Sequence, residues 1–256
     1  MFTKLKMDKL NIFKEINLDI SKKQLPNVDL HLHTNWTDGK NSVSQMYEAA
    51  CKKGLKKILF SEHARCSSVN WFSKFAKEVK SLKKKQNCNA YVGAEVKILN
   101  FNGDLDINKD IIKDVDYAMA SVHRFPGETN INKKETIDRY SKKEAIEIEY
   151  ELTIKAIKNS DFEILGHPFG MSLSRYKIKP EWNLFKEIIK LCKKFDKAFE
   201  VNSYYHPNIE KLLKECIKEK TLISLGSNAH SINEVGEINF KVLESNIIKQ
   251  KKIKSI

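Results

Sequence analysis

The histidines of this chain stand at or just after the ends of short apolar runs. Two of them form a His-x-His pair inside Asp-Leu-His-Leu-His-Thr, residues 29–34. Imidazoles that converge with carboxylates are typical ligands of transition-metal sites. We therefore expect one metal centre, assembled from histidines that are distant in the sequence: His31, His33, His63, His123, His167 and His230.

Three carboxylates accompany these histidines. Asp38 follows the His-x-His pair within a few residues, and Glu95 ends another apolar run. Side chains alternate between the two faces of a strand, so Asp29 points the same way as His31 and His33. We predict that Asp29 orients one of these imidazoles and that Glu95 bridges two ions.

These residues lie at the ends of short apolar segments, which are typical of buried parallel strands. Between these segments the sequence shows amphipathic helical patterns. Two helices open with capping boxes, Ser42 with Gln45 and Ser141 with Glu144. Seven strand–helix units with short links predict an α/β fold, a (β/α)7 barrel whose functional groups gather at the carboxyl ends of the strands. The predicted strands lie near residues 28–33, 56–63, 90–98, 116–123, 162–167, 197–204 and 221–228.

Length and composition agree with one domain. The 256 residues, 41% of them hydrophobic, suffice for a single barrel. We expect an N-terminal extension at 1–25 that covers the barrel floor, a barrel core at 26–238, and a C-terminal helix and basic tail at 239–256. No apolar stretch approaches the roughly 20 residues of a membrane span. The five cysteines include no Cys-x-x-Cys pair, which favours reduced thiols and a cytoplasmic protein.

The formal net charge of +13 raises the question of a nucleic-acid partner. Only four of the 46 basic residues are arginines, and the lysines are spread over nearly every predicted helix. Such a pattern is typical of a solvated lysine surface, and no stretch combines basic and aromatic residues as single-strand binders do. A small anionic substrate is therefore the favoured partner, and a nucleic acid is the alternative.

The motifs resemble those of the PHP superfamily, named for its polymerase and histidinol phosphatase domains. The resemblance spans about residues 27–235 and is most specific at 29–34, at 38–40 (Asp-Gly-Lys) and at 60–64 (Phe-Ser-Glu-His-Ala). The residues of these motifs are most similar to those of the histidinol-phosphatase branch. The resemblance implies a distorted seven-stranded barrel that holds up to three divalent ions at the carboxyl ends of its strands and hydrolyses phosphate esters.

The family pattern also implies which residues of this chain bind two or three ions of zinc, manganese or iron. Where the family has Asp-x-His near the end, this chain has Asn228-Ala229-His230. A neutral amide in place of a carboxylate leaves one more unit of uncompensated positive charge, so the first ion would bind more weakly. The implied ligands are His31, His33, Glu95 and Asn228 for the first ion, Glu95, His123 and His167 for the second, and Asp38, His63 and His230 for the third.

The implied reaction is hydrolysis of a small phosphate monoester, such as histidinol phosphate in histidine biosynthesis, by a metal-activated hydroxide. Paired ions lower the pKa of a shared water toward neutrality and stabilise charge on the phosphate. We assign catalysis to Glu95, His123 and Arg124.

Substrate contacts are expected from the basic groups near the metal histidines. Guanidinium binds phosphate through two parallel hydrogen bonds, which lysine cannot match. His206 is the weakest of the candidates, because it stands at the start of a predicted helix. That position favours a role at the rim of the barrel or as a helix cap. The predicted substrate-binding residues are Arg65, Lys97, Arg124, Arg175 and His206.

Two alternative functions stay open. A nuclease or nucleotide phosphoesterase would use the same metal cluster, and the positive charge of the chain agrees with it slightly. A barrel that binds metal without catalysis is the third hypothesis, and it is motivated by Asn228.

Overall fold

The computed structural model describes residues 9–82, 87–128, 140–245 and 247–248. Seven parallel strands form one sheet and follow one another in chain order, so all seven predicted strands are confirmed. They are β1 (Val28–Leu32), β2 (Lys57–Ala64), β3 (Asn89–Lys97), β4 (Tyr117–Ser121), β5 (Ile164–Leu165), β6 (Ala198–Asn202) and β7 (Leu222–Gly226).

The sheet curls into a nearly closed barrel. Leu32 and Ala229 form a parallel bridge just beyond β7. The main-chain nitrogen of His33 donates to Ala229 O at 2.8 Å, and that of Ala229 donates to His31 O at 3.2 Å. This closure brings histidine-bearing segments from opposite ends of the chain together.

Helices connect the strands, as the sequence predicts. The two predicted capping boxes are confirmed, because Ser42 and Ser141 each exchange hydrogen bonds with the third helical residue. The helices of the described residues are α1 (Asn11–Ser21), α2 (Val43–Lys52), α3 (Val69–Ser81), α4 (Lys109–Ile112), α5 (Lys142–Asn159), α6 (Gly170–Ser174), α7 (Trp182–Lys194), α8 (Ile209–Glu219) and α9 (Glu237–Glu244).

The strands are largely buried, and β1 and β6 are buried over their full length. Parallel strands covered by helices bury both faces, which explains the nearly continuous apolar runs. The few polar residues buried in these strands therefore stand out, and most of them lie toward the carboxyl ends of the strands.

Helix α1 contacts the opposite end of the barrel. Its Asn17 side chain donates to Thr221 O at 2.7 Å and accepts from Ile223 N at 2.9 Å, at the start of β7. At the other end of the chain, α9 begins at Glu237, and the predicted basic tail at 249–256 lies outside the described residues.

Candidate metal centre and cavity

The carboxyl ends of the strands gather imidazoles around Glu95, which is completely buried at the end of β3. The ring nitrogens approach both carboxylate oxygens, so this one side chain joins two groups of histidines. The distances to Oε1 are 2.9 Å from His123 Nε2 and 2.8 Å from His167 Nε2, and those to Oε2 are 3.0 Å from His63 Nδ1 and 3.5 Å from both His31 Nε2 and His33 Nε2.

Asp38 forms the centre of a neighbouring group. Its Oδ2 lies 3.4 Å from His63 Nε2, and its Oδ1 lies 3.4 Å from His230 Nε2. With His33, these residues offer four ligand atoms that lie within 4.8 Å of one another. His63 thus faces Glu95 with one nitrogen and Asp38 with the other, which connects the two groups.

These donor sets fit divalent metal ions. The Nε2 atoms of His31 and His33 lie 3.1 Å apart, close to the roughly 3.3 Å expected for two imidazoles on one tetrahedral zinc. Buried polar atoms rarely lack a partner in folded proteins. Here Glu95 Oε2 and His63 Nδ1, which face each other at 3.0 Å, are both buried without a hydrogen bond in the described part of the chain.

Burial and charge act against each other at this centre. Burial disfavours the protonated form of His31, but the Glu200 and Glu95 carboxylates raise its pKa well above the usual value. Burial disfavours the ionised form of Glu95, yet the imidazoles of His123, His31 and His63 lower its pKa. Burial lowers the pKa of His123 to about 4, which keeps that ring neutral and able to bind a metal ion.

Glu200 of β6 is a site residue that the sequence analysis missed. It is completely buried, and its Oε1 lies 2.7 Å from His31 Nδ1. Its Oε2 accepts a hydrogen bond from the main-chain nitrogen of His167 at 2.5 Å. The available signal was an acidic residue inside the otherwise apolar stretch Ala198–Val201.

Asp29 does not orient an imidazole, so that prediction was wrong. Its carboxylate accepts hydrogen bonds from Ser227 N at 2.9 Å, from Ser227 Oγ and from Gly236 N at 2.7 Å. Its approach to His31 is to the main-chain nitrogen, at 3.4 Å. The register of β1 against β2 shifts between Asp29 and Leu32, and this bulge interrupts the simple alternation of side chains.

Two further buried carboxylates fix the loops that carry site residues. Glu62 accepts from Thr34 N at 2.7 Å and from Thr37 Oγ1, which holds the loop that leads to Asp38. Burial raises the pKa of Glu62 to about 7. The role of this residue is therefore to anchor the main chain next to the metal centre.

Glu149 anchors the main chain of α6 in the same way. Its carboxylate accepts from Met171 N at 3.0 Å, from Ser172 N at 2.7 Å and from Ser172 Oγ at 2.6 Å. It makes no hydrogen bond to an imidazole within the described residues. Burial raises the pKa of Glu149 to about 7.

Asn228 lies beside His230 on the closing segment. Its main-chain oxygen is 2.8 Å from His230 Nδ1, so Nδ1 is the hydrogen-bond donor. The lone pair of His230 Nε2 then faces Asp38. The backbone of Asn228 has a φ of 56°, in the left-handed region where asparagine and aspartate are the best tolerated residues after glycine.

Asn228→Asp is expected to raise the affinity of the centre for divalent ions by about tenfold, because it adds a charged ligand. The left-handed backbone accepts aspartate as well as asparagine, so no strain offsets this gain. Titration of both metal-free proteins with Zn²⁺ or Mn²⁺ measures the change. Equal affinities in the two forms would show that position 228 is not a ligand.

A cavity of about 430 Å³ opens above the cluster. Its wall includes Arg65, Arg124 and Arg175, and the fourth arginine, Arg139, lies outside the described residues. Arg175 Nη1 lies 3.5 Å from the buried carboxylate of Glu128. The cavity therefore combines the candidate metal-binding side chains with guanidinium groups. The other lining residues are Asp38, His63, Glu95, Val122, His123, His167, Gly170, Met171, Ser174, Tyr205, Asn228 and His230.

The arginines differ in how they are held. Arg65 Nε lies 3.8 Å from Asp106 Oδ2, and its Nη1 is buried without a hydrogen bond among the described residues. Arg124 is half-buried and forms no ion pair with a described residue. Its guanidinium is thus available to an anionic ligand.

Lys97 and His206 do not belong to the cavity wall. Burial and the positive charges of Arg124 and Arg65 lower the pKa of Lys97. His206 is buried, and its Nδ1 accepts from Asn202 N at 3.0 Å while its Nε2 is 3.0 Å from Pro168 O. With both nitrogens bonded to the main chain, this ring ties the loop after β5 to the end of β6.

Comparison with known proteins gives a family and several relatives. A family model described as "PHP domain" matches residues 29–204. A probable phosphatase from Caldicellulosiruptor bescii is 29% identical over 224 residues, which are 82% of each chain. The DNA polymerase/3'-5' exonuclease PolX of Bacillus subtilis is 27% identical over 225 residues, 82% of this chain but only 35% of that protein.

A solved structure of similar fold is histidinol phosphate phosphatase from Lactococcus lactis, in complex with zinc, L-histidinol and phosphate. The match has a TM-score of 0.60 at 19% identity and covers 86% of this chain and 94% of that chain. At this identity the match shows a shared fold. Within the described residues, no helix combines the length and apolarity needed to cross a bilayer.

Proposed function

This chain belongs to the PHP domain family, and we propose that it is a metal-dependent hydrolase of a small phosphate monoester. The observation that supports this best is the cluster of five imidazoles within 3.5 Å of the Glu95 carboxylate. Three arginines line the cavity above that cluster. Ligands for cations and donors for phosphate oxygens thus face the same space.

Divalent ions, when bound, supply Lewis acidity and lower the pKa of water toward neutrality. His31, His33 and Glu95 would hold one ion, and His123 and His167 would hold a second with the other oxygen of Glu95. Asp38, His63 and His230 would hold a third. We include Asn228 among the ligands of the first ion.

The side chains of the cavity have separate tasks in this proposal. Glu95 would contribute a ligand to two ion sites, because each of its oxygens faces a different set of imidazoles. Neutral His123 keeps its lone pair for a metal ion. Arg124, next to it in sequence, donates to the equatorial phosphate oxygens, and Arg65 and Arg175 neutralise the remaining charge.

Histidinol phosphate is the first substrate we propose, and histidine biosynthesis is the corresponding role. The solved Lactococcus lactis phosphatase of similar fold was captured with L-histidinol and phosphate. A cavity of about 430 Å³ suits a small metabolite. We propose the cytoplasm as the compartment, because all five cysteines are free thiols.

A nuclease activity is the second candidate, because a polymerase with 3'-5' exonuclease function matches most of this chain. The chain spans about a third of that relative. Nuclease action would use the same cluster but would need a groove that tracks a phosphate backbone.

One assay panel separates these functions. The purified protein would be incubated with Zn²⁺, Mn²⁺ or Fe²⁺ and offered histidinol phosphate, sugar phosphates, nucleotides and end-labelled oligonucleotides. Release of phosphate from a monoester without strand cleavage is the expected result. Shortened oligonucleotides would favour the nuclease, and stoichiometric metal without turnover of any substrate would contradict both.

A further inference from the structure

We infer that Glu200 is a positioning residue that sets the metal affinity of the centre through both His31 and His167. This inference rests on the proposed metal-dependent function. Strand β6 carries none of the predicted ligands, yet its central acidic side chain contacts the segments that supply them from β1 and from the end of β5.

The first contact selects the nitrogen that His31 offers to a metal ion. Glu200 Oε1 lies 2.7 Å from Nδ1 of the ring, and an ionised carboxylate only accepts hydrogen bonds. In the neutral ring that binds a metal ion, Nδ1 therefore carries the proton, and the lone pair of Nε2 points toward His33 and Glu95. Such partners fix the orientation of metal-bound histidines and raise their basicity.

The second contact holds the main chain of His167. Glu200 Oε2 accepts from its nitrogen at 2.5 Å, and His167 has a φ of 25°, which side-chain-bearing residues rarely adopt. A strained backbone persists only where its surroundings fix it. The same carboxylate thus supports imidazoles that face opposite oxygens of Glu95.

The surroundings of Glu200 leave its position little freedom. Asn202 Nδ2 donates to Oε1 at 2.8 Å. Gly226 of the next strand packs directly against the carboxylate, and a Cβ there would clash with Oε1 and approach His31 Cβ to 2.6 Å. The glycine is therefore required for the Glu200–His31 contact.

Glu200→Gln tests the inference because its shape is conserved while its hydrogen bonding is not. Both neighbours, His31 Nδ1 and His167 N, donate to the side chain, and the amide nitrogen of glutamine must face one of them. We expect the affinity for Zn²⁺, measured by competition with a chelating dye, to fall about 10- to 100-fold.

Glu149→Gln is the matched control for metal affinity. That carboxylate is also buried, but it anchors α6, which carries none of the proposed metal ligands, and it forms no hydrogen bond to an imidazole among the described residues. Its Zn²⁺ affinity should stay within a few-fold of wild type. Wild-type affinity in folded Glu200→Gln, or an equal loss in the control, would overturn the inference.

The zinc-loaded wild-type protein provides a test that needs no variant. Long-range ¹H–¹⁵N spectra should show His31 protonated at Nδ1 and bound to zinc through Nε2. The reverse pattern would overturn the inference. Neither the Zn²⁺ affinities nor the spectra depend on turnover. If both measurements give the expected results but the protein hydrolyses no substrate, the proposed hydrolase function is contradicted and the role of Glu200 still holds.

Discussion

Glu95→Gln is expected to lower kcat for the best phosphate ester by about a thousandfold or more, with loss of tightly bound metal. Glutamine has the same shape but no charge, and its amide nitrogen cannot bind an ion. Because each carboxylate oxygen faces its own set of imidazoles, one substitution disturbs both ion positions. Metal analysis of the purified protein and steady-state assays with saturating Mn²⁺ or Zn²⁺ measure the two effects.

The fold should survive this change. Glu95 contacts the side chains of the cluster, and no described residue forms a main-chain hydrogen bond to its carboxylate. Circular dichroism spectra, recorded with a chelator so that bound metal does not contribute, should match those of wild type. His31→Ala should likewise lose activity and remain folded. An active, metal-loaded Glu95→Gln protein would exclude the bridging role.

The gathering of imidazoles around Glu95 could be predicted because it depends on the ends of strands. Parallel strands place their carboxyl ends at one rim, so residues that follow apolar runs must meet there. Glu95 near the end of β3 and His123 just after β4 illustrate this, since Val96 and Ala120 pair in register and the two side chains lie 2.9 Å apart.

Contacts that depend on packing could not be predicted in this way. Alternation of side chains placed Asp29 beside the imidazoles, but its carboxylate binds the main-chain nitrogens of Ser227 and Gly236 after β7. The role of Glu200 could not be predicted, because a single acidic residue in a strand does not indicate its partner. That partner, His31, lies 169 residues away in the sequence. His206 likewise bonds to Pro168 across a loop whose course the sequence does not specify.

Three cavity arginines follow candidate metal-binding histidines in the sequence. In the structure they differ in whether a carboxylate lies nearby. Arg175 is held by Glu128 and Arg65 lies near Asp106, so both are partly neutralised. Arg124 has no carboxylate partner among the described residues. An unpaired guanidinium on a cavity wall is the group most able to gain from binding phosphate.

Arg124→Ala is therefore expected to reduce kcat/KM by about a hundredfold, the typical effect of removing one donor to a charged transition state. Arg124→Lys should recover only part of this loss, because an ammonium restores the charge but not the two parallel hydrogen bonds. Inhibition by inorganic phosphate should weaken in both variants, whereas metal affinity should not change, since the guanidinium is not a ligand.

Lys113→Ala serves as the control for loss of a positive charge. Lys113 is exposed just before the amino end of β4 and does not line the cavity. Its removal should leave kcat/KM within twofold of wild type at about 0.15 M salt, where charges beyond about 8 Å are screened. If Arg124→Ala behaves like this control, phosphate is bound by Arg65 and Arg175 instead. A lysine variant as active as wild type would show that charge alone, without the paired hydrogen bonds of guanidinium, is what the cavity requires.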